Sequence, residues 1–284
     1  MILERRGLLQ SHPSRSAYRT SAEEHDDIAA ALAAGPKGSA DLTSYLGART
    51  DQGRSSTCFY HSKASCQYGA AALAGAPLLF FPSPLVGASC TFAMVRAAAT
   101  PPDQELPELK DTGAALEDAA AVDKWGVARI GVQIAGRDGV SDVPDDKPGV
   151  AFPEVDESQI IKAASTIMTG EYKITVNDRA PLLLCATLDA RVLAWNGFFC
   201  DSRFEALKPG EVAGVPDESD PLGGGHATLY AGYRIVPRNG IKKIEGLKVN
   251  SWGKSWCEAG CVWVSEEHVM AEWEIWPFAA RRVA

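Results

Sequence analysis

The hydrophobic period of this chain changes part-way along, and that change limits the folds open to it. From Thr57 onward Cys58, Phe59, Ser62, Cys66, Gly69, Ala70 and Leu73 recur at spacings of three and four, until Gly75-Ala76-Pro77 interrupts them, as one face of a helix requires. Ser83-Pro84 then predicts a helix through Val95 or a little beyond, closed by Pro101-Pro102, because proline is tolerated in the first turn and not inside. Asp111-Thr112-Gly113 precedes a third helix, Ala114 to Trp125. After a polar crossing loop at 131–156 and a short helix at about Glu157 to Met168, the pattern becomes alternating or continuously apolar. Strands are expected at Tyr172 to Val176, Leu182 to Leu188, Ala227 to Val236, Lys243 to Asn250 and Cys261 to Val264, with residues 189–222 as a long loop and His268 in a final helix. Helices first and strands second predict an α+β fold with an antiparallel sheet or partial barrel.

Ahead of these elements, residues 1–40 read as an N-terminal extension. Ser21 and Glu24 form a capping box before Ile28, Ala29, Ala31 and Leu32, so one short helix is expected there. A strap across the body, a docking arm and a vestigial pro-region are all compatible with that pattern. The rest divides at the crossing loop into a helical part, about 41–150, and a β-rich part, about 151–284.

Composition narrows the function classes. A net charge of -8 provides no basic footprint for nucleic acid. The most apolar run, Ala76 to Val86, is short and holds three prolines, so no membrane partner is expected. Met1-Ile2-Leu3-Glu4-Arg5-Arg6 has no signal-peptide core, and seven cysteines, an odd number, suit reduced thiols and a cytoplasmic location. Cys257 and Cys261 lack a second ligand pair at matching spacing. No metal and no cofactor is expected.

Three segments carry chemistry. In Asp51-Gln52-Gly53-Arg54-Ser55-Ser56-Thr57-Cys58 a glutamine lies six residues before a cysteine that opens a helix. A helix start favours an anion, and a cysteine acts as a nucleophile through its thiolate. Gly223-Gly224-Gly225-His226-Ala227 leads into an apolar strand, and Asn250-Ser251-Trp252-Gly253 closes another. His226 is the candidate proton carrier; Asn250 would orient it with Trp252 as cover. The Gln52 amide and the Cys58 backbone N–H would receive an oxyanion. His61, three residues after Cys58, is a rival base, although a side chain on the same helix points along that helix.

Order and local context together resemble the papain-like (C1) cysteine peptidases over about residues 40–270, including Asp41-Leu42-Thr43 and Asp51-Gln52-Gly53. The resemblance implies a two-lobe papain-like fold with a helical left lobe, a β-barrel-like right lobe and the site between them. It implies a Cys58–His226–Asn250 triad hydrolysing protein or peptide substrates through an acyl-enzyme. Thr112 and Gly113 match the segment that pairs with extended substrate, and Gly225 and Trp252 border the same cleft. The chain departs from the family in places. Ser55 stands where a half-cystine is usual, and Phe59 replaces a tryptophan. The intervals from Cys58 to His226 and Asn250, 168 and 192 residues by subtraction, exceed the ~130–150 of plain members. A transpeptidase or amidase using the same triad, and a silent binding or structural protein of a larger assembly, remain the alternatives.

Overall fold

A computed structural model describes residues 8–9, 26–53, 55–75, 77, 81–82, 84–107, 111–121, 167–171 and 174–282. The central element is helix α2, Cys58–Leu73, with all but three residues buried. A helix apolar or buried all round belongs inside a protein, and this one is enclosed by helices on one side and the sheet on the other. Helix α3, Pro84–Ala99, packs on it where Gly87 meets the Tyr60 ring so closely that a Cβ would lie 1.8 Å from a ring carbon. Phe59 and Phe92 meet edge to face at 5.6 Å. The charge of Lys63, fully buried in α2, is met by the Ala119 carbonyl, which accepts from its Nζ, and by the faces of Tyr60 and Trp195. Trp195 Nε1 donates to Ser62 Oγ at 2.8 Å, tying α2 to the sheet.

That sheet is made of β4 (Ile167–Glu171), β5 (Leu193–Cys200), β6 (Val212–Ala213), β7 (Gly224–Arg238), β8 (Ile241–Val249), β9 (Cys261–Ser265) and β10 (Glu274–Arg282), in the order β4-β10-β5-β7-β8-β9-β6. Its ladders are antiparallel except β6 with β9. The short strand β2, Ser39–Asp41, takes over the edge of β7 beyond β5, pairing with residues 232–234; Gly232 permits this, since a Cβ there would come within 2.6 Å of the Ala40 carbonyl. Helix α1, Asp26–Ala34, packs on α5, Ala180–Asp189, and Lys37 N and Tyr233 Oη both donate to Asp189. One more strand, β1 at Leu8–Leu9, pairs in parallel with β3, Ala114–Ala115. The mixed α+β architecture, helices first and antiparallel sheet second, agrees with the sequence reading.

Several elements differ from expectation. Leu182 to Leu188 is helix α5, not a strand. Pro181 sits in its first turn and Thr187 Oγ1 donates back to Leu183 O at 2.7 Å; Leu183 to Leu188 are all buried and Leu182, though exposed, is apolar too, so the run has no readable period and length and flanking proline decide. Within the expected 189–222 loop lie β5, the one-turn helix α6 (Ser202–Glu205) and β6. Strand β10 also went unforeseen. Of the strand expected at Tyr172 to Val176, Ile174 forms a bridge to Ile275. The third helix, α4, is Leu116–Ala121 and follows β3; residues 122–125 lie outside the described residues. So do Ser21, the 131–156 loop and the helix expected from Glu157, whose last two residues, Ile167 and Met168, are in β4. His268 does lie in a late helix, α7, Glu266–Met270.

Candidate active site

Cys58 is the first residue of α2 and is fully buried. The loop before it is held by hydroxyls. Ser55 Oγ donates to Gln52 O at 2.7 Å, so in its 2.5 Å contact with Thr57 Oγ1 the threonine must be the donor. Ser56 N donates to Asp111 Oδ2 at 2.7 Å, joining this loop to the Asp111-Thr112-Gly113 segment. Burial raises the Asp111 carboxyl above its usual range. Thr112 is exposed, and Gly113 is buried with φ +70°, a conformation that favours glycine. Because β1 pairs with the two residues following Gly113 and also approaches β7, the N-terminal extension reaches this segment.

Gln52 and the Asn250-Ser251-Trp252-Gly253 turn are stapled together. Gln52 N donates to Ser251 O at 2.8 Å, and Gly253 N to Thr50 O at 3.0 Å. The fully buried Gln52 side chain receives Ser251 Oγ on its amide oxygen at 2.5 Å and donates its amide nitrogen to Ser55 O at 2.6 Å. Gly253 has φ +75°, and a Cβ there would lie 2.8 Å from Asp51 Oδ2, so a side chain at this position would be strained. Sequence reading missed Ser251, whose single signal is its place between two recognised residues.

His226 enters on β7 opposite Phe198 of β5, and Asn250 directly follows β8. His226 Nε2 lies 2.8 Å from Asn250 Oδ1. The same oxygen accepts Ser251 N–H at 2.7 Å. This second bond orients the amide with its oxygen toward the ring, so Nε2 carries the proton and the lone pair of the neutral imidazole is at Nδ1. Trp252 stacks on the imidazole, centroids 4.6 Å apart and planes 26° apart, while Phe198 meets it edge to face at 5.8 Å. His226, Asn250 and Trp252 are buried, and Gly225, paired with Phe199, is half-buried beside them. Packing of α2 on β7 brings the helix headed by Cys58 to the strand that carries His226 as its third residue.

His61 is fully buried in α2, and neither ring nitrogen has a hydrogen-bond partner among the described residues. Burial lowers its pKa to about 3. A ring that stays neutral at ordinary pH supplies no imidazolium for a thiolate.

No protein-family model and no curated protein matches this sequence. Solved structures do match over almost its full length. Xylellain, a cysteine protease from Xylella fastidiosa, superposes with a TM-score of 0.64 at 18% identity, covering 97% of this chain and 96% of its own. Procathepsin L 3 of Tenebrio molitor larval midgut gives 0.63 at 15% identity, with 97% and 76% covered. ProCathepsin B S9 from Trypanosoma congolense gives 0.64 at 14% identity, with 99% and 88% covered. The chain therefore has the fold of the papain-like cysteine proteases.

Proposed function

We propose that this protein is a cysteine peptidase acting on protein or peptide substrates. The observation that carries the reading is the buried His226–Asn250 hydrogen bond beneath Trp252, joined through Ser251 to Gln52 on the loop that leads into Cys58. In this reading the Cys58 proton passes to His226 Nδ1, and the thiolate is stabilised by the N-terminus of α2. Its sulfur attacks the scissile carbonyl carbon, forming a C–S bond and placing negative charge on oxygen. The Cys58 N–H and the second hydrogen of the Gln52 amide receive that charge. Collapse breaks the C–N bond as the imidazolium protonates the departing amine. Water, deprotonated by His226, then cleaves the thioester and restores the thiol. Asn250 keeps one tautomer facing the sulfur throughout, and as a neutral amide it orients the ring without adding charge.

The test is intact-mass labelling with an epoxysuccinyl thiol inhibitor at neutral pH, followed by turnover of a peptide library. A single adduct on the wild type that disappears in Cys58→Ala and in His226→Ala supports the reading. Folded, reduced protein that takes no adduct refutes it and favours a silent binding protein.

A further inference from the structure

The wall behind the imidazole holds a charge pair that the proposed chemistry does not use. β7 directs His226, Thr228 and Tyr230 to one face, since strand side chains alternate. β5 sets Phe198 opposite His226 and Asn196 opposite Thr228, while Lys248 of β8 pairs with Tyr230 and Asn250 follows two residues on. On this shared wall Lys248 Nζ lies 2.6 Å from Glu272 Oε1, with both side chains wholly buried. Glu272 also receives Tyr230 Oη on Oε1 and Asn196 Nδ2 on Oε2, each at 2.7 Å, and His268 Nε2 stands 3.4 Å from Oε1. Asn196 in turn accepts Thr228 Oγ1 at 2.9 Å.

Burying two charges is costly, and apolar side chains of the same volume would fill the space without that cost. What the pair touches gives it a role. Lys248 Nζ sits 3.3 Å from the centroid of the Phe198 ring, a cation–π contact strengthened by the absence of water, and Phe198 is the ring that meets His226 in a T-shaped contact. We propose that Lys248, clamped on Phe198 by Glu272, is a positioning residue that fixes the imidazole of His226 between Phe198 and Trp252. The proposal rests on His226 being the catalytic base. Burial lowers the Lys248 ammonium to about 8 against the pull of Glu272, which leaves it charged at neutral pH. For Glu272, Lys248 and His268 outweigh the upward effect of burial and hold the carboxyl below its usual range. Glu272, Tyr230, His268 and Cys200 are the titratable groups facing Lys248; Asn250, Trp252 and Phe198 bound His226, with Cys58 on the helix packed against its strand.

The decisive experiment uses the full chain carrying Lys248→Met with Glu272→Gln, which removes both charges at nearly constant length. Two readouts are taken: the pH titration of the His226 ring by NMR, and the pH–rate profile of Cys58 alkylation by iodoacetamide. The expected result is a folded protein with a displaced His226 titration and alkylation at neutral pH slowed roughly tenfold, the scale on which sub-ångström misplacement of a reacting group acts. A folded variant whose titration and profile both superpose on the wild type overturns the proposal. Should the double variant not fold, Tyr230→Phe decides, since it removes one hydrogen bond from Glu272: a His226 titration displaced from that of the wild type supports the proposal, and an unchanged one overturns it. Wild-type Cys58 no more reactive than a free thiol would defeat the peptidase reading, while the His226 titration would still decide the positioning claim.

Discussion

Ser251→Ala tests whether Gln52 is held in place by the turn that follows β8. Ser251 Oγ donates to Gln52 Oε1 across 199 residues of sequence, and both side chains are buried. Deleting the hydroxyl leaves almost no cavity but takes a donor from a buried amide oxygen, which costs about 1–3 kcal/mol. For a chain of this size that lowers Tm by roughly 2–4 °C per kcal/mol. If the staple aims the Gln52 amide at the oxyanion, peptide hydrolysis also suffers. Gln52→Ala should cost about 10²–10³ in rate, and Ser251→Ala a part of that, about tenfold. Alkylation by iodoacetamide, which forms no oxyanion, should be nearly unchanged in both. The double variant should be no slower than Gln52→Ala alone, because one effect acts through the other. Thermal unfolding, peptide turnover and alkylation are measured on all three variants. Fully additive rate losses, or a Ser251→Ala protein with wild-type Tm and turnover, would refute the staple.

Three other outcomes are expected. His61→Phe should raise acid stability. The folded pKa of His61, about 3, lies below its unfolded value of about 6.5, so the unfolded chain binds the proton first. The wild type therefore loses about 1.4 kcal/mol per pH unit as pH falls through that window, and acid titration by circular dichroism should give the variant a lower midpoint. Gly253→Ala should cost about 1–3 kcal/mol through its positive φ, with added strain against Asp51; urea unfolding measures it, and a wild-type midpoint would contradict the fit. Leu8→Pro with Leu9→Pro removes the backbone donors of β1 beside Gly113 and should speed labelling of Cys58; an unchanged rate would place the N-terminal strand outside the path to the thiol.

What the sequence determined by itself was largely local. Helix α2 was legible because the spacing from Cys58 to Leu73 repeats for more than four turns, and α3 because Pro84 can stand only near a helix start. The three candidate segments stood out because their neighbours carry the signal: Gln52 at a fixed distance from Cys58, glycines before His226, Trp252 and Gly253 after Asn250. Where a run is buried almost throughout, periodicity disappears; that is why α5 read as a strand and β5 was absorbed into a loop. Tertiary structure alone decided the long-range contacts. Nothing in the order of residues places Ser251 on Gln52, Asp111 on Ser56, or β1 against β3. Nor does it reveal that Lys248 faces inward to Glu272 and Phe198, because a lysine at a strand end satisfies an exposed pattern equally well. Side-chain direction at a strand end depends on which strands pair and in what register, and that is settled only when the whole sheet closes around α2.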